Sequence, residues 1–550
     1  MDKQVQQKDN VLLVNITRLG DMLQSTPTLA GMKLENPNCK VSVVVEKQFE
    51  GICKLLPNID KIYPVDLSYV VRNIDRGGDG IIDAYEYVDE FVEELKQENF
   101  DYCLNMSSSA YTALLIKLLG GVRSGGWVSD EQGYRLINSQ WARLFATSVF
   151  HMNRQYNSLN LVDVFRCSAE VNKHPNQLLI NVDSDATAYC QNFISEAKFT
   201  NQGPIIAVQA GASQGKRQWE VSYFVRTIRT LLDKYNARII LTGVDKELPI
   251  INPIKEGCKS ENVVVAAGRT NLSQLAALLK LSDVFLTGDT GPMHVSVAVN
   301  TPVVSLFLAS AFGFETGPYS EGNIVLQPVI ACGPCNPNKS CARPDCHNTI
   351  EPEALAEIVM LRANEDIRHI PKELADPNRV IAYRSFFDEF TFCDLEPINN
   401  PYPNELDTYR RAYRKLWLDD LGGFVSKNAS SQNISKGMLN IVSNQIPRLN
   451  LVSQKAKEGI VLIKRLIDLI KNTQSAPRLL GEVSEQLNVV DREIEEIGLE
   501  YSHLGPLTRM FVFSKENLLG TDPLELASQM WKVYDDLERR SEKLSIYYSN

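Results

Sequence analysis

Along the first 365 residues, short apolar runs of strand length alternate with longer amphipathic stretches. Residues 11–16 form the first run, as expected of a strand covered on both faces, and further strand candidates stand at 41–45, 61–65 and 102–105 with helical patterns between them. This alternation predicts a parallel, doubly wound sheet. Thr26, as a cap, with Pro27 as first helical residue, predicts that 17–25 is an irregular loop leaving the first strand. A second series begins near Pro204, with strands at 205–209, 238–242, 263–266, 284–287 and 302–308 and helices at 223–235 and 273–281. The predicted fold is α/β, two Rossmann-like domains facing one another across a cleft, with a boundary near 185–203. After about residue 365 the texture changes. Residues 366–404 are rich in Pro, Asn and Asp, which favour turns. From Glu405 onward helical periodicity dominates, as in Leu451, Ala456, Ile460, Ile463, Leu466 and Ile470, interrupted at 510–513 and closed by 523–548. The predicted domains are 1–190, 200–365, an irregular and helical linking region at 366–430, and an all-helical extension at 431–550.

A chain of 550 residues with 44% hydrophobic content can bury several cores. Its net charge of −10 argues against nucleic-acid partners and non-specific binding to anionic membranes. No apolar run approaches the roughly 20 residues that span a bilayer, and the polar start has no signal-peptide pattern. Cys39, Cys53, Cys103, Cys167, Cys190, Cys258 and Cys393 are scattered through apolar elements, which suits a reducing cytoplasm. A cytoplasmic protein is expected, with attachment at the inner face of the membrane left open.

Two stretches carry candidate chemistry, Arg18-Leu19-Gly20-Asp21 and Gly288-Asp289-Thr290-Gly291-Pro292-Met293-His294. Each stands where a predicted strand hands over to a helix, the place where open α/β sheets bind ligands. Pro292 suits the first position of the second helix, leaving the Thr290 and Gly291 amides at its positive end as a phosphate site. Transfer of a sugar from a nucleotide needs a base for the acceptor hydroxyl, charge for the leaving diphosphate and polar groups for the sugar. Asp21 can be the base. Lys216 and Arg217, after the 205–209 strand, can neutralise the diphosphate together with those amides. Asp289 can accept hydrogen bonds from sugar hydroxyls. Taken singly, each has a plainer reading: turn chemistry for Asp21, a solvated pair for Lys216 and Arg217, a structural histidine for His294. Their conjunction favours function.

The set Arg18-Leu-Gly-Asp21 with Thr26-Pro27, Gly211-Ala-Ser213, Lys216-Arg217-Gln218-Trp219, Ala267-Gly268-Arg269-Thr270-Asn271-Leu272, Asp289 to His294 and Thr301-Pro-Val-Val304 resembles the family 9 glycosyltransferases, the ADP-heptose heptosyltransferases. The motifs occur in family order across residues 10–360. The resemblance implies a GT-B fold with an acceptor-side domain at 1–190 and a nucleotide-sugar domain at 200–365. It also implies inversion at the anomeric carbon, no metal needed for catalysis, and a nucleotide-sugar donor, ADP-heptose. Position by position, Asp21 matches the base, and Asp289, Thr290 and Gly291 match the contacts to donor sugar and phosphate. Arg217 matches the diphosphate contact, with Lys216 as a substitute. Gly243 and Glu247 fall near the ribose, Gly268, Arg269 and Thr270 near the adenine edge, and His294 on the donor side. The chain departs from the family at Phe307-Leu308-Ala309-Ser310, where a larger residue is expected to narrow the nucleotide pocket.

Other motifs point elsewhere. Gly211 to Arg217 has one residue too few for a P-loop and lacks its Ser or Thr, and no dinucleotide fingerprint follows the first strand. Asp75, Asp79, Gly80, Ile82, Asp83 and Glu86 fit positions of a calcium loop, but Gly77 stands where an oxygen ligand is wanted, so a turn leading into a helix at 83–97 is the reading adopted. Cys332, Cys335, Cys341 and Cys346, within 332–346, suit tetrahedral zinc or iron in a structural role. A similar cluster recurs in part of the family, including autotransporter heptosyltransferases. The acceptor, a lipopolysaccharide core sugar or a protein Ser or Thr, stays open. So does a different class of function, a non-catalytic scaffold that forms homo-oligomers through its C-terminal helices.

Overall fold

The predicted strands of both α/β halves form. They are β1 (Asn10–Val14), β2 (Lys40–Glu46), β3 (Lys61–Val65) and β4 (Tyr102–Asn105), then β5 (Arg123–Ser129) and β6 (Arg135–Ile137). The second series is β7 (Ile205–Gln209), β8 (Arg238–Thr242), β9 (Val263–Val265), β10 (Val284–Gly288), β11 (Val303–Leu306), β12 (Ile324–Pro328), β13 (Val380–Phe387) and β14 (Cys393–Pro397). The computed structural model describes residues 8–149, 152–365, 370–400, 404–425, 441–472 and 477–549. They divide into two compact units, Met1–Gly125 with Leu159–Pro401, and Gly126–Ser158 with Tyr402–Asn550.

The first unit holds the parallel strands of two sheets. In one, β1 is paired in parallel between β2 and β4, with β3 outside β2, and Leu12 and Leu13 have no exposure. In the other, the order β14-β13-β12-β11-β10-β7-β8-β9 is parallel from β12 to β9 and antiparallel at β13 and β14. Strand order reverses beside β1 in one sheet and beside β7 in the other, which fixes where ligands can enter.

Several expectations are corrected. The boundary expected near 185–203 is taken up by the helix Ser184–Glu196, which Asp183 starts by accepting the Ala186 amide at 2.6 Å. That helix buries Ala186, Cys190 and Phe193 against Ile205, Ile240 and Leu278 of the second sheet. Residues 126–158, expected within the 1–190 domain, belong to the helical unit. The turn-rich reading of 366–404 misses β13 and β14, where Val380 to Tyr383 are buried and paired to β12. The turn expected in place of a calcium loop forms at Gly77 and Gly78, both at positive φ, between the helices Leu67–Arg76 and Asp79–Gln97, the second starting earlier than the expected residue 83. Asp83 lies in the second helix and pairs with Arg76.

Asp163, on the helix Leu161–Ser168, has no exposure. It accepts hydrogen bonds of 2.9 Å from Arg166 Nε, the Tyr319 hydroxyl and the Cys393 amide of β14. The Arg166 guanidinium lies 4.1 Å from the centroid of Phe392.

The second unit is helical, built from Gln140–Val149, Glu405–Gly422, Ile446–Lys471, Pro477–Glu500, Gly505–Glu516 and Pro523–Ser549. Residues 510–513, expected as an interruption, lie inside Gly505–Glu516, which starts with Pro506 in its first turn. A Cβ on Gly459 would meet the Tyr534 ring at 2.1 Å, so only glycine lets the helices Ile446–Lys471 and Pro523–Ser549 approach as they do. Within the expected linking region and extension, residues 366–369, 401–403, 426–440, 473–476 and 550 lie outside the described residues. Among the described residues no helix is long and apolar enough to cross a membrane.

Candidate functional site

β1 ends at Val14, and the Asn15 amide still follows the sheet by donating to Val44 O at 3.0 Å. The chain then enters a short helix, Leu19–Gln24, where an irregular loop was expected. Asp21 explains the helix: its Oδ2 accepts the Arg18 amide at 3.3 Å, a carboxylate in the first turn satisfying a backbone donor the helix cannot. Ser25, not Thr26, precedes the next helix, and Thr26 Oγ1 donates back to Leu23 O at 2.6 Å. Asp21 is half-buried.

On the other sheet, β10 leads through Asp289 to the helix Gly291–Ala298, whose cap residue is Thr290. Pro292 is its second residue, one place later than expected, so Gly291 opens the helix. The first backbone amides of a helix lack intrahelical partners and favour anions. Asp289 is engaged on both oxygens: Arg217 Nη1 donates to Oδ2 at 2.9 Å and Thr316 Oγ1 to Oδ1 at 3.1 Å. Arg217 also donates through Nε to Ser310 Oγ at 2.8 Å. With Arg217 and Asp289 only 16% and 12% exposed, the guanidinium is held in place before any ligand arrives.

The two helices meet through glycines. A Cβ on Gly20 would stand 3.0 Å from His294 Cδ2, and one on Gly291 would stand 2.9 Å from Leu19 Cδ2. His294 Nε2 lies 2.9 Å from the Gln24 side-chain nitrogen, and both residues are buried. Burial pushes the His294 pKa down to about 4, with the Asp21 charge opposing. The imidazole beside Asp21 is therefore neutral near pH 7. Expected as a donor contact, His294 instead packs on Gln24 and Gly20.

Lys216 departs furthest from expectation. Its Nζ donates to the carbonyls of Asn336, Pro337 and Lys339 at 2.9, 3.0 and 2.7 Å, so it grips the cysteine loop. Glu247 lies at the ends of β7 and β8. Its oxygens accept Gln209 Nε2 at 3.1 and 3.0 Å and the Val244 amide at 2.8 Å, and a Cβ on Gly211 would fall 1.8 Å from one of them. Gly268 has φ +71° and its missing Cβ makes room for Asp245. Arg269 lies over the Phe193 ring at 4.7 Å, occupied by an aromatic face, while Thr270 is half-buried just before the Asn271 cap.

In the cysteine loop, Cys332 and Cys341 are exposed, Cys335 is half-buried and Cys346 is buried. Burial first, then the neighbouring Cys332, raises Cys335 to about 11, and burial also raises Cys346. All eleven cysteines are free thiols. Among the described residues no three or more His, Cys, Asp or Glu side chains are arranged to hold a metal. Gln24, Thr316, Gln209 and Ser310 were missed as site residues. Gln24 sits one turn from Asp21 and is visible once 19–24 is read as helix; nothing in the sequence marks Thr316.

Comparison with known proteins adds the following. Residues 88–344 match the family model described as glycosyltransferase family 9 (heptosyltransferase). Lipopolysaccharide heptosyltransferase 3 of Escherichia coli K12 is 23% identical over 315 residues, 56% of this chain and 84% of that one. Lipopolysaccharide core heptosyltransferase OpsX of Haemophilus influenzae is 24% identical over 340 residues, 61% and 88% of the two chains. The solved E. coli ADP-heptose heptosyltransferase II aligns with a TM-score of 0.48 at 18% identity, over 65% of this chain and 99% of that one.

Proposed function

We propose that the chain, whose residues 88–344 match the family 9 model, is a glycosyltransferase of that family and transfers heptose from ADP-heptose to a hydroxyl, with inversion at the anomeric carbon. One observation carries this reading. The glycine-to-glycine approach of the helices Leu19–Gln24 and Gly291–Ala298 sets Asp21 beside the second, rear helix, two residues before which Asp289 holds Arg217.

In the transfer, Asp21 accepts the proton of the acceptor hydroxyl, whose oxygen attacks the anomeric carbon from the face opposite the nucleotide. The bond from that carbon to the diphosphate oxygen breaks, and its electron pair leaves with ADP. Arg217, aided by the opening amides of the rear helix, meets the charge that develops on the diphosphate. Asp289 turns from Arg217 towards sugar hydroxyls, and Glu247 has acceptor capacity left for ribose hydroxyls. A neutral His294 leaves Asp21 uncancelled as a base.

The names of the relatives, which speak of lipopolysaccharide and its core, support a core sugar as acceptor. The free cysteines suit a cytoplasmic location. The four loop thiols suit zinc or iron in chemistry, but they do not stand as a closed ligand set. The ion belongs to this reading only as one that Cys332, Cys335, Cys341 and Cys346 would hold for structure, supplying thiolate neutralisation and no part of the transfer.

The test follows ADP release and sugar transfer by the purified full chain with ADP-heptose, offering truncated lipopolysaccharide and, separately, Ser- and Thr-containing protein. Asp21→Ala is expected to lower turnover by about 10²–10⁴-fold with ADP binding retained. Full turnover in that variant removes Asp21 from the mechanism, and transfer to protein alone removes the core-sugar acceptor.

A further inference from the structure

We infer that Lys216 is a positioning residue, which clamps the cysteine loop as a buttress against the segments that fix Arg217 and does not itself touch the donor. The inference rests on the donor-site reading above, because it explains how Arg217 comes to be held where that reading needs it.

The clamp is visible in the lysine's own hydrogen bonds. An ammonium has three protons, and Lys216 has three carbonyl partners, those of Asn336, Pro337 and Lys339, at 2.7 to 3.0 Å. No donor proton is left over for a phosphate. The carbonyls converge because Asn336 Oδ1 accepts the Asn338 amide at 2.9 Å, which turns the backbone around the Nζ. A stretch with so few apolar side chains has little other means of holding a shape.

Two further stitches make the loop a brace. On one side His347 Nε2 lies 3.0 Å from Lys216 O, and His347 O accepts Trp219 Nε1 at 3.0 Å. Trp219 is 1% exposed and Tyr223 reaches Asn348 at 2.6 Å, so this side is anchored in the second sheet's core. On the other side the Cys335 amide donates to Ala309 O at 2.9 Å, next to Ser310. Ser310 is the residue that receives Arg217 Nε. Arg217 is therefore carried by one segment, 216–219, and bonded to another, 309–310, and the same loop ties both down. Freeing the loop loosens both walls of the arginine's seat.

The experiment compares the full-length protein with Lys216→Met, Lys216→Arg, the loop variant Asn336→Gly with Pro337→Gly, that variant combined with Lys216→Met, and Arg217→Met. Two quantities are read: the dissociation constant for ADP by calorimetry, and the rate of tryptic cleavage between Lys339 and Ser340, where Lys339 is exposed in the loop. Lys216→Met should weaken ADP binding by about tenfold and speed cleavage, while Lys216→Arg, which keeps several donors, should recover most of both. Because the lysine acts through the loop, the combined variant should lose no more affinity than the weaker single one. The inference is overturned if cleavage is unchanged in Lys216→Met. It is equally overturned if the Lys216 and loop effects on ADP multiply, which is the signature of direct contact with the diphosphate, or if Lys216→Met leaves ADP affinity unchanged while Arg217→Met weakens it. Arg217→Met separates the two readings: unchanged ADP affinity there defeats the donor-site reading, and the clamp then stands or falls on cleavage alone.

Discussion

Adding a single methyl group at Gly20 tests whether the approach of the two lobe helices sets the activity. In Gly20→Ala the new Cβ stands 3.0 Å from His294 Cδ2 and 3.4 Å from Nε2. An ordinary carbon contact lies at roughly 3.5–4.0 Å, so something has to give by about half an ångström. His294 is buried and lies against Gln24, and the Gly291 backbone is the next neighbour at 4.0 Å. The helix Leu19–Gln24 is the part that yields, and Asp21 moves with it. Overpacking of this kind costs about 1–3 kcal/mol of stability. Since a displacement of about 1 Å can cost 10²-fold in rate, half of that predicts a loss of about tenfold in kcat. The donor KM should change little, because Arg217 and Asp289 lie on the other lobe. Gly51→Ala is the control: nothing lies within 4 Å of its Cβ, and it lies in the short helix Glu50–Cys53. That variant should match or slightly exceed wild-type stability. Steady-state kinetics with ADP-heptose and urea unfolding measure both quantities. A Gly20→Ala enzyme with kcat within twofold of wild type would refute the argument that this contact sets the position of Asp21.

Arg166→Met should destabilise the first unit by about 3–5 kcal/mol, because it leaves the Asp163 carboxylate without its cation where exposure is zero; a loss under about 1 kcal/mol in chemical denaturation would contradict it. Stability should also fall as pH is lowered from 6.5 to about 4. His294 is held near 4 when folded, so the unfolded chain takes up the proton first and the stabilisation, complete above 6.5, is lost on the way down, by about 3 kcal/mol from this residue. His174, also lowered to about 4 by burial, adds with the same sign. Urea midpoints that stay flat across that range would count against both.

Much of the α/β framework was legible because its strands are apolar runs with few competing readings. β1, β7 and β10 are buried along nearly their whole length, so hydrophobicity alone marks them. β13 was hidden because Val380 to Phe387 lies among turn-forming residues, and its pairing to β12 is a tertiary fact that no local pattern announces. Likewise 126–158 looked like part of the first α/β domain because chain order says nothing about which core a segment joins. For the site, the residue types at Asp21, Arg217 and Asp289 could be read from their motifs. What Lys216 does could not, since its three partners lie more than a hundred residues away and are backbone carbonyls common to every residue. His294 was read as reaching for a ligand, but its burial against Gln24 depends on how two helices from different sheets cross.

The knot at Asp163 has a mechanical consequence. Tyr319 and Cys393 come to it from the rear sheet's side, while its own helix packs on the front lobe beside Thr26–Glu35. Pulling the knot apart strands an ion in a dry interior, so it resists opening far more than a contact between neutral side chains does. The helix Leu161–Ser168 is thereby pinned to the strand Cys393–Pro397 independently of the glycine contact between Gly20 and Gly291.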